Sequence, residues 1–94
     1  MEQWTEEDAI AYECACDTIN DLMSIKTRQI ADESRNPHPD PVRLESLQAE
    51  RSRLAREWED LYVDDHVQVA RIRVEYGAIV RNWRLGFRVA SQSV

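Results

Sequence analysis

Glycine is scarce in this chain, with two residues in ninety-four, Gly77 and Gly86. Few positions can take left-handed backbone without strain, so a fold built on many tight hairpin turns is excluded. Proline is nearly as scarce, with three residues confined to one place, Pro37, Pro39 and Pro41. Cysteine occurs only as Cys14 and Cys16. Two residues apart on a helix, these side chains point to roughly opposite sides and can neither bridge each other nor share a metal. A disulfide-stapled secreted fold is therefore not expected, and a reducing cytoplasm is the default location. No apolar run approaches the roughly 20 residues that span a bilayer, so no membrane partner is expected. Met1-Glu2-Gln3-Trp4 has neither the basic nor the apolar region of a secretory signal.

What the chain does contain is helical periodicity. Hydrophobic residues make up 43% and charged residues 32%, a globular balance. The length suits one domain. A chain of this size buries only roughly 60–65% of its unfolded surface, so a homodimer is expected to make up the deficit.

The segment Asn36-Pro37-His38-Pro39-Asp40-Pro41 breaks the periodicity. Three prolines in five residues forbid a continuous helix, and Asp40-Pro41 restarts one with an N-cap and a proline at the first helical position. Residues 6–63 thus read as an antiparallel hairpin: helix 1 over about 6–34, a turn over 35–40 and helix 2 over about 41–63. Thr5-Glu6-Glu7-Asp8 opens helix 1 as a capping box with Asp in place of Glu, and its acids suit the positive end of the helix dipole. Tyr12, Ala15, Cys16, Ile19, Leu22, Met23 and Ile30 form its apolar stripe. Lys26 interrupts that stripe and calls for a partner such as Glu50 across the hairpin. In helix 2 the stripe is Leu44, Leu47, Leu54, Ala55, Trp58, Leu61 and Tyr62, interrupted by Arg51. Both repeats last about three heptads, enough for a short bundle.

Asp64-Asp65 can cap a third helix over about 65–82 or longer. One apolar row holds Val69, Ile72, Tyr76, Ile79, Val80, Trp83 and Phe87. A second holds Val67, Val74, Ala78, Leu85 and Val89, with Arg73, Arg81, Arg84 and Arg88 between the rows. Two rows ask for two neighbours, the hairpin on one side and another subunit on the other. The alternation of Trp83, Leu85, Phe87 and Val89 with polar residues also permits a short extended tail after residue 83. Residues 90–94 are expected to fray. The fold class is all-α: an antiparallel helical hairpin plus a third, C-terminal helix.

Charge is divided unevenly. Residues 1–65 carry seventeen acids and seven bases, a balance of −10; residues 66–94 carry five arginines and one acid, a balance of +4; together they give −6. Lys and Arg are absent from residues 1–25, while Glu6, Glu13, Asp17 and Asp21 share one outward face of helix 1. A concentrated negative field of this kind speeds encounter with a basic protein surface. The arginines Arg73, Arg81, Arg84 and Arg88 form the alternative surface, for nucleic acid. The net charge disfavours that partner, because nonspecific affinity depends on clustered bases. Trp83, Leu85 and Phe87 are the expected dimer contacts.

Catalytic patterns are missing: there is no glycine-rich phosphate loop and no nucleophile elbow. His38 and His66 stand outside any ligand spacing with Cys14 or Cys16, so no metal or cofactor is expected. The layout resembles that of small all-helical chorismate mutases in length, long first helix, proline-containing connection and dimeric assembly, and Pro41-Val42-Arg43 is similar to their connection. The resemblance implies a dicarboxylate site with Lys26, Arg28, Arg43 and Arg51 as cations. The chain departs from that family in lacking an early arginine in helix 1 and a suitably placed glutamine in the last helix. A mutase-type enzyme is therefore the remote reading. The leading expectation is a non-enzymatic protein-binding module, an acidic inhibitor or accessory factor of the kind that phages and mobile elements carry, by analogy with other short helical chains.

Overall fold

The computed structural model describes the backbone of residues 4–92 and the side chains of residues 4–86. Helix α1 spans Glu6–Ser34 and α2 spans Pro41–Asp60. They are followed by α3 at His66–Arg71, a π-helical turn at Ile72–Tyr76 and α4 at Gly77–Gln92. Backbone angles at the joints remain helical, with φ −61° and ψ −45° at Ile72 and φ −59° and ψ −39° at Gly77. The last three segments therefore run on as one third helix. The protein is all-α, a helical hairpin with a third helix packed against it.

Local chemistry sets each helix start. Thr5 Oγ1 accepts from the Asp8 amide at 3.1 Å, and Asp8 Oδ2 accepts from the Thr5 amide at 3.0 Å, which completes the capping box. Asp40 Oδ1 accepts from Val42 and Arg43 amides at 3.0 and 3.3 Å, with Pro41 at the first helical position. Asp65 Oδ1 accepts from the Gln68 amide at 3.3 Å.

Two boundaries differ from the sequence expectation. Helix α2 stops at Asp60 instead of continuing to about 63. Glu57, Glu59 and Asp60 crowd the negative end of its dipole, and Leu61 turns to an extended conformation (φ −80°, ψ 130°) that buries its side chain. At the other end, the backbone after residue 83 is helical through Gln92, so the extended tail is not formed. A strand there would have no other strand to pair with among the described residues, and its backbone groups would go unsatisfied. The helical backbone runs on over residues 90–92, and 93–94 lie outside the described residues.

Helix α1 packs against both α2 and the third helix. Ala15, Ile19, Leu22 and Ile25 supply its side of the core, Leu54 and Leu61 the hairpin's, and Val69, Ile72, Tyr76 and Val80 the third helix's. Ile19, Leu54 and Ile72 are the largest fully buried side chains. Polar latches close the hairpin. Lys26 Nζ meets Glu50 Oε2 at 2.7 Å, as its place in the stripe suggested. Arg51 Nε donates to Thr27 Oγ1 at 2.8 Å, and Arg43 pairs with Glu33 at 3.2 Å. The third helix is tied to α1 by Arg84–Asp21 at 3.0 Å and His66–Asp8 at 3.2 Å.

The π turn changes the phase of the third helix. Its extra residue per turn brings Val80 into the core and leaves Ile79, expected in the same stripe, half exposed. It also sets Arg71 over the ring of Tyr76, five residues on, at 5.2 Å. The molecule is elongated, with extents of 57 × 31 × 15 Å and a radius of gyration of 16.0 Å. A compact domain of this length would have a radius near 12 Å. Much apolar surface stays in contact with solvent as a result: Val67, Val74 and Leu85 of the second expected row are all exposed.

Candidate functional site: an aromatic and acidic groove

One end of α1 faces the end of α2 and the connection that follows it. Two adjoining clefts lie there. The first, of about 600 Å³, is lined by Tyr12, Glu13, Cys16, Asp17, Asn20, Trp58 and Glu59. The second, of about 520 Å³, is lined by Trp4, Ala9, Tyr12, Glu13, Leu61, Tyr62, Val63 and Asp64. Tyr12 and Glu13 belong to both, so the two form one groove with two lobes.

Each lining group is placed by a local rule. Tyr12, Glu13, Cys16, Asp17 and Asn20 recur at helical spacing on one face of α1. The Thr5 cap leaves Trp4 just outside the helix, at the position whose side chain packs over the fourth helical residue, here Ala9. The early stop of α2 keeps Trp58 and Glu59 on the helix but frees Tyr62, Val63 and Asp64 to face Trp4 from the connection. Trp4, Trp58 and Tyr62 remain 42%, 43% and 68% exposed. Four of the seven aromatic residues in the chain thus line this groove.

The electrostatics are of one sign. Glu13, Asp17, Glu59 and Asp64 line the clefts, and among the described residues no Lys, Arg or His does. The Tyr12 phenol is held above its ordinary pKa, first by its hydrogen bond with Cys16 one turn on and then by burial, so it stays neutral and the charge comes from carboxylates alone. Exposed aromatic faces beside unneutralised carboxylates make a surface that attracts and stacks cationic side chains.

The four acids expected to act together all lie on α1, in different surroundings. Glu13 and Asp17 line the groove. Glu6 is exposed in the first turn of α1, and Asp21 is engaged by Arg84. That pair joins a member of the expected acidic face to a member of the expected arginine surface. Arg73 and Arg81 are exposed on the third helix, and the Arg88 side chain lies outside the described residues. Trp83 is partly buried against the core while Leu85, two residues on, is exposed; Phe87 lies outside the described side chains. Trp83 and Leu85 therefore do not share a face. Of the four cations in the mutase-like layout, Lys26, Arg43 and Arg51 are engaged by Glu50, Glu33 and Thr27 in closing the hairpin.

Sequence pattern does not single out Trp4, Asn20 or Glu59; it reads Asp64 as part of a helix cap, and Tyr12, Trp58 and Tyr62 as core. A signal for Trp4 did exist in its place just before the helix cap. Two tryptophans flanked by acids, Trp4 by Glu2 and Glu6 and Trp58 by Glu57 and Glu59, carry a weaker one.

A third cleft, of about 330 Å³, lies between α2 and the start of the third helix. Its charges are mixed: Arg53, Arg56 and Arg71 stand against Glu57, Asp60 and Asp65. Among the described residues, no three or more His, Cys, Asp or Glu side chains are grouped to hold a metal ion, and no helix is long and apolar enough to cross a membrane. Comparison with protein-family models, with curated proteins and with solved structures returned no match.

Proposed function

We propose that this protein is a non-enzymatic binding module that captures a basic surface of another protein in the aromatic and acidic groove, acting in the cytoplasm as a small inhibitor or accessory factor. The observation that carries the reading is the convergence of Trp4, Tyr12, Trp58 and Tyr62 with Glu13, Asp17, Glu59 and Asp64 in one open groove. Aromatic residues dominate the energetics of protein interfaces, and a field of one sign selects the partner's charge and speeds encounter. The core does not need these acids, since any polar residue would keep that face wetted. The test is affinity for a basic partner captured from lysate, measured for the native chain and for the Glu13→Lys/Asp17→Lys double variant across a salt series. Loss of affinity with unchanged circular dichroism supports the reading. Unchanged affinity at every salt concentration makes the acids a solvated face and transfers attention to the third helix.

The second reading, nucleic-acid binding, is favoured by the exposure of Arg73 and Arg81 on the third helix. It requires a mobility shift at low salt that collapses as salt rises. We also propose that two copies associate through the exposed row Val67, Val74 and Leu85, whose burial would cover apolar surface that this elongated fold leaves bare.

A further inference from the structure

We propose that the groove recognises a pair of arginine side chains spaced as Arg-x-Arg on an extended segment of the partner, one guanidinium in each lobe. This inference rests on the binding reading given above and names the ligand chemistry of the same site. The first lobe offers the faces of Trp58 and Tyr12 with carboxylates from Asp17 and Glu59. The second offers Trp4 and Tyr62 with the carboxylate of Asp64. Glu13 stands on the shared wall and can serve either. Each lobe therefore has an aromatic face and at least one acid of its own.

A guanidinium is the cation that uses both. Its plane stacks on an aromatic ring while its fork of N–H donors reaches a carboxylate; an ammonium is a strongly hydrated point charge and does neither as well. The spacing follows from α1. Along α1 the lining of the first lobe runs from Tyr12 to Asn20 and that of the second from Ala9 to Glu13, so their midpoints, near Cys16 and Ala11, lie about five residues apart, which at 1.5 Å per residue is roughly 7.5 Å along the helix. Alternate side chains on an extended strand share a face and stand roughly 6.6 Å apart, whereas adjacent ones point to opposite faces. An Arg-x-Arg segment lying along α1 meets both lobes, and an Arg-Arg dipeptide meets one. The polar lining of the first lobe, with Glu13, Asp17, Asn20 and Glu59, suits the unpaired backbone amides of an extended segment. A helix has no such amides and asks for an apolar groove instead.

The experiment uses the full chain and capped eight-residue Gly/Ser peptides, each carrying two positive charges: Arg-x-Arg, adjacent Arg-Arg, and Lys-x-Lys. A helical peptide with arginines four residues apart and a citrulline version of Arg-x-Arg complete the set. Affinity is read by calorimetry and site by the indole N–H resonances, since Trp4 and Trp58 line the groove while Trp83 packs elsewhere. Arg-x-Arg is expected to bind about tenfold tighter than its charge-matched competitors, to shift Trp4 and Trp58 while leaving Trp83 unmoved, and to lose that advantage in Trp58→Leu. Equal binding of all dibasic peptides at Trp4 and Trp58 would overturn the paired-guanidinium assignment while leaving the basic-partner reading intact. Preference for the helical peptide would overturn the extended register. Absence of any shift at Trp4 and Trp58 with every basic peptide would overturn both the assignment and the groove as the binding site.

Discussion

Tyr76 Oη donates a 2.6 Å hydrogen bond to Glu57 Oε2, joining the third helix to the end of the hairpin. Arg53 and Arg71 approach the same carboxylate at 3.1 and 3.9 Å. The π turn makes this arrangement possible, because it places Arg71 and Tyr76, five residues apart, on the same face. The Arg71 guanidinium is correspondingly held above its ordinary pKa, first by its hydrogen bond with Tyr76 and then by the acids Glu75 and Glu57.

Tyr76→Phe is expected to cost about 1–2 kcal/mol, the range for a hydrogen bond to a charged acceptor that remains partly satisfied by others. Urea denaturation of Tyr76→Phe, Glu57→Gln and the double variant measures it. The double variant should be less destabilised than the sum of the singles. Strict additivity would show that the two groups do not interact in solution.

Leu54→Ala should cost roughly 2–5 kcal/mol, because Leu54 is among the largest fully buried side chains and truncation leaves a cavity. Glu45→Ala on the exposed side of α2 should cost under about 0.5 kcal/mol. Equal shifts in melting temperature would show that the face assigned to the core is wrong.

Lys26→Met should change stability by less than about 1 kcal/mol despite the 2.7 Å contact with Glu50, because both ends of that pair reach solvent. A loss several times larger would indicate that the hairpin depends on this charge pair.

The Asp8 carboxyl is held below its usual 3.8 value, first by the Thr5 amide, which outweighs the opposing effect of desolvation, and further by His66. A depressed carboxyl contributes stability that is present above the unfolded value and is lost as pH falls through the folded one. The start of α1 should therefore loosen only below about pH 3.8, read as faster amide exchange at Asp8. Asp8→Ala should show the fast exchange at neutral pH and no such acid limb. An identical acid limb in the variant would assign the loosening to other carboxylates.

Self-association through Val67 and Val74 predicts a light-scattering mass of twice 11.0 kDa at micromolar concentration. Val74→Glu should return the mass to 11.0 kDa with the helical spectrum unchanged. A native particle of 11.0 kDa would end this proposal.

The helix starts were legible because each is decided within four residues. Thr5 with Asp8, Asp40 with Pro41, and Asp65 act through their own side chains on neighbouring amides. The Lys26–Glu50 pair was legible too, since a lone cation in an apolar stripe needs an acid within reach across the hairpin. The groove was less so. Trp58 and Tyr62 fall on the helical stripe that contains Leu54, and periodicity alone assigns them to the core with it. The stop of α2 at Asp60 takes Tyr62 out of that stripe, and Trp58 stands nearly half exposed at the end of the helix. The pairing of Asp21 was equally invisible, because Arg84 lies 63 residues away in sequence.

Sequence alone determined the number of helices, where they begin, which face of each is apolar, and the division of charge between a negative hairpin and a positive third helix. Those properties are local or additive along the chain. Tertiary structure alone decided which apolar residues were covered and which acids were paired. Burial and pairing depend on what lies opposite, and that was decided by the early stop of α2, the π turn in the third helix and the lengthwise spread of the three helices.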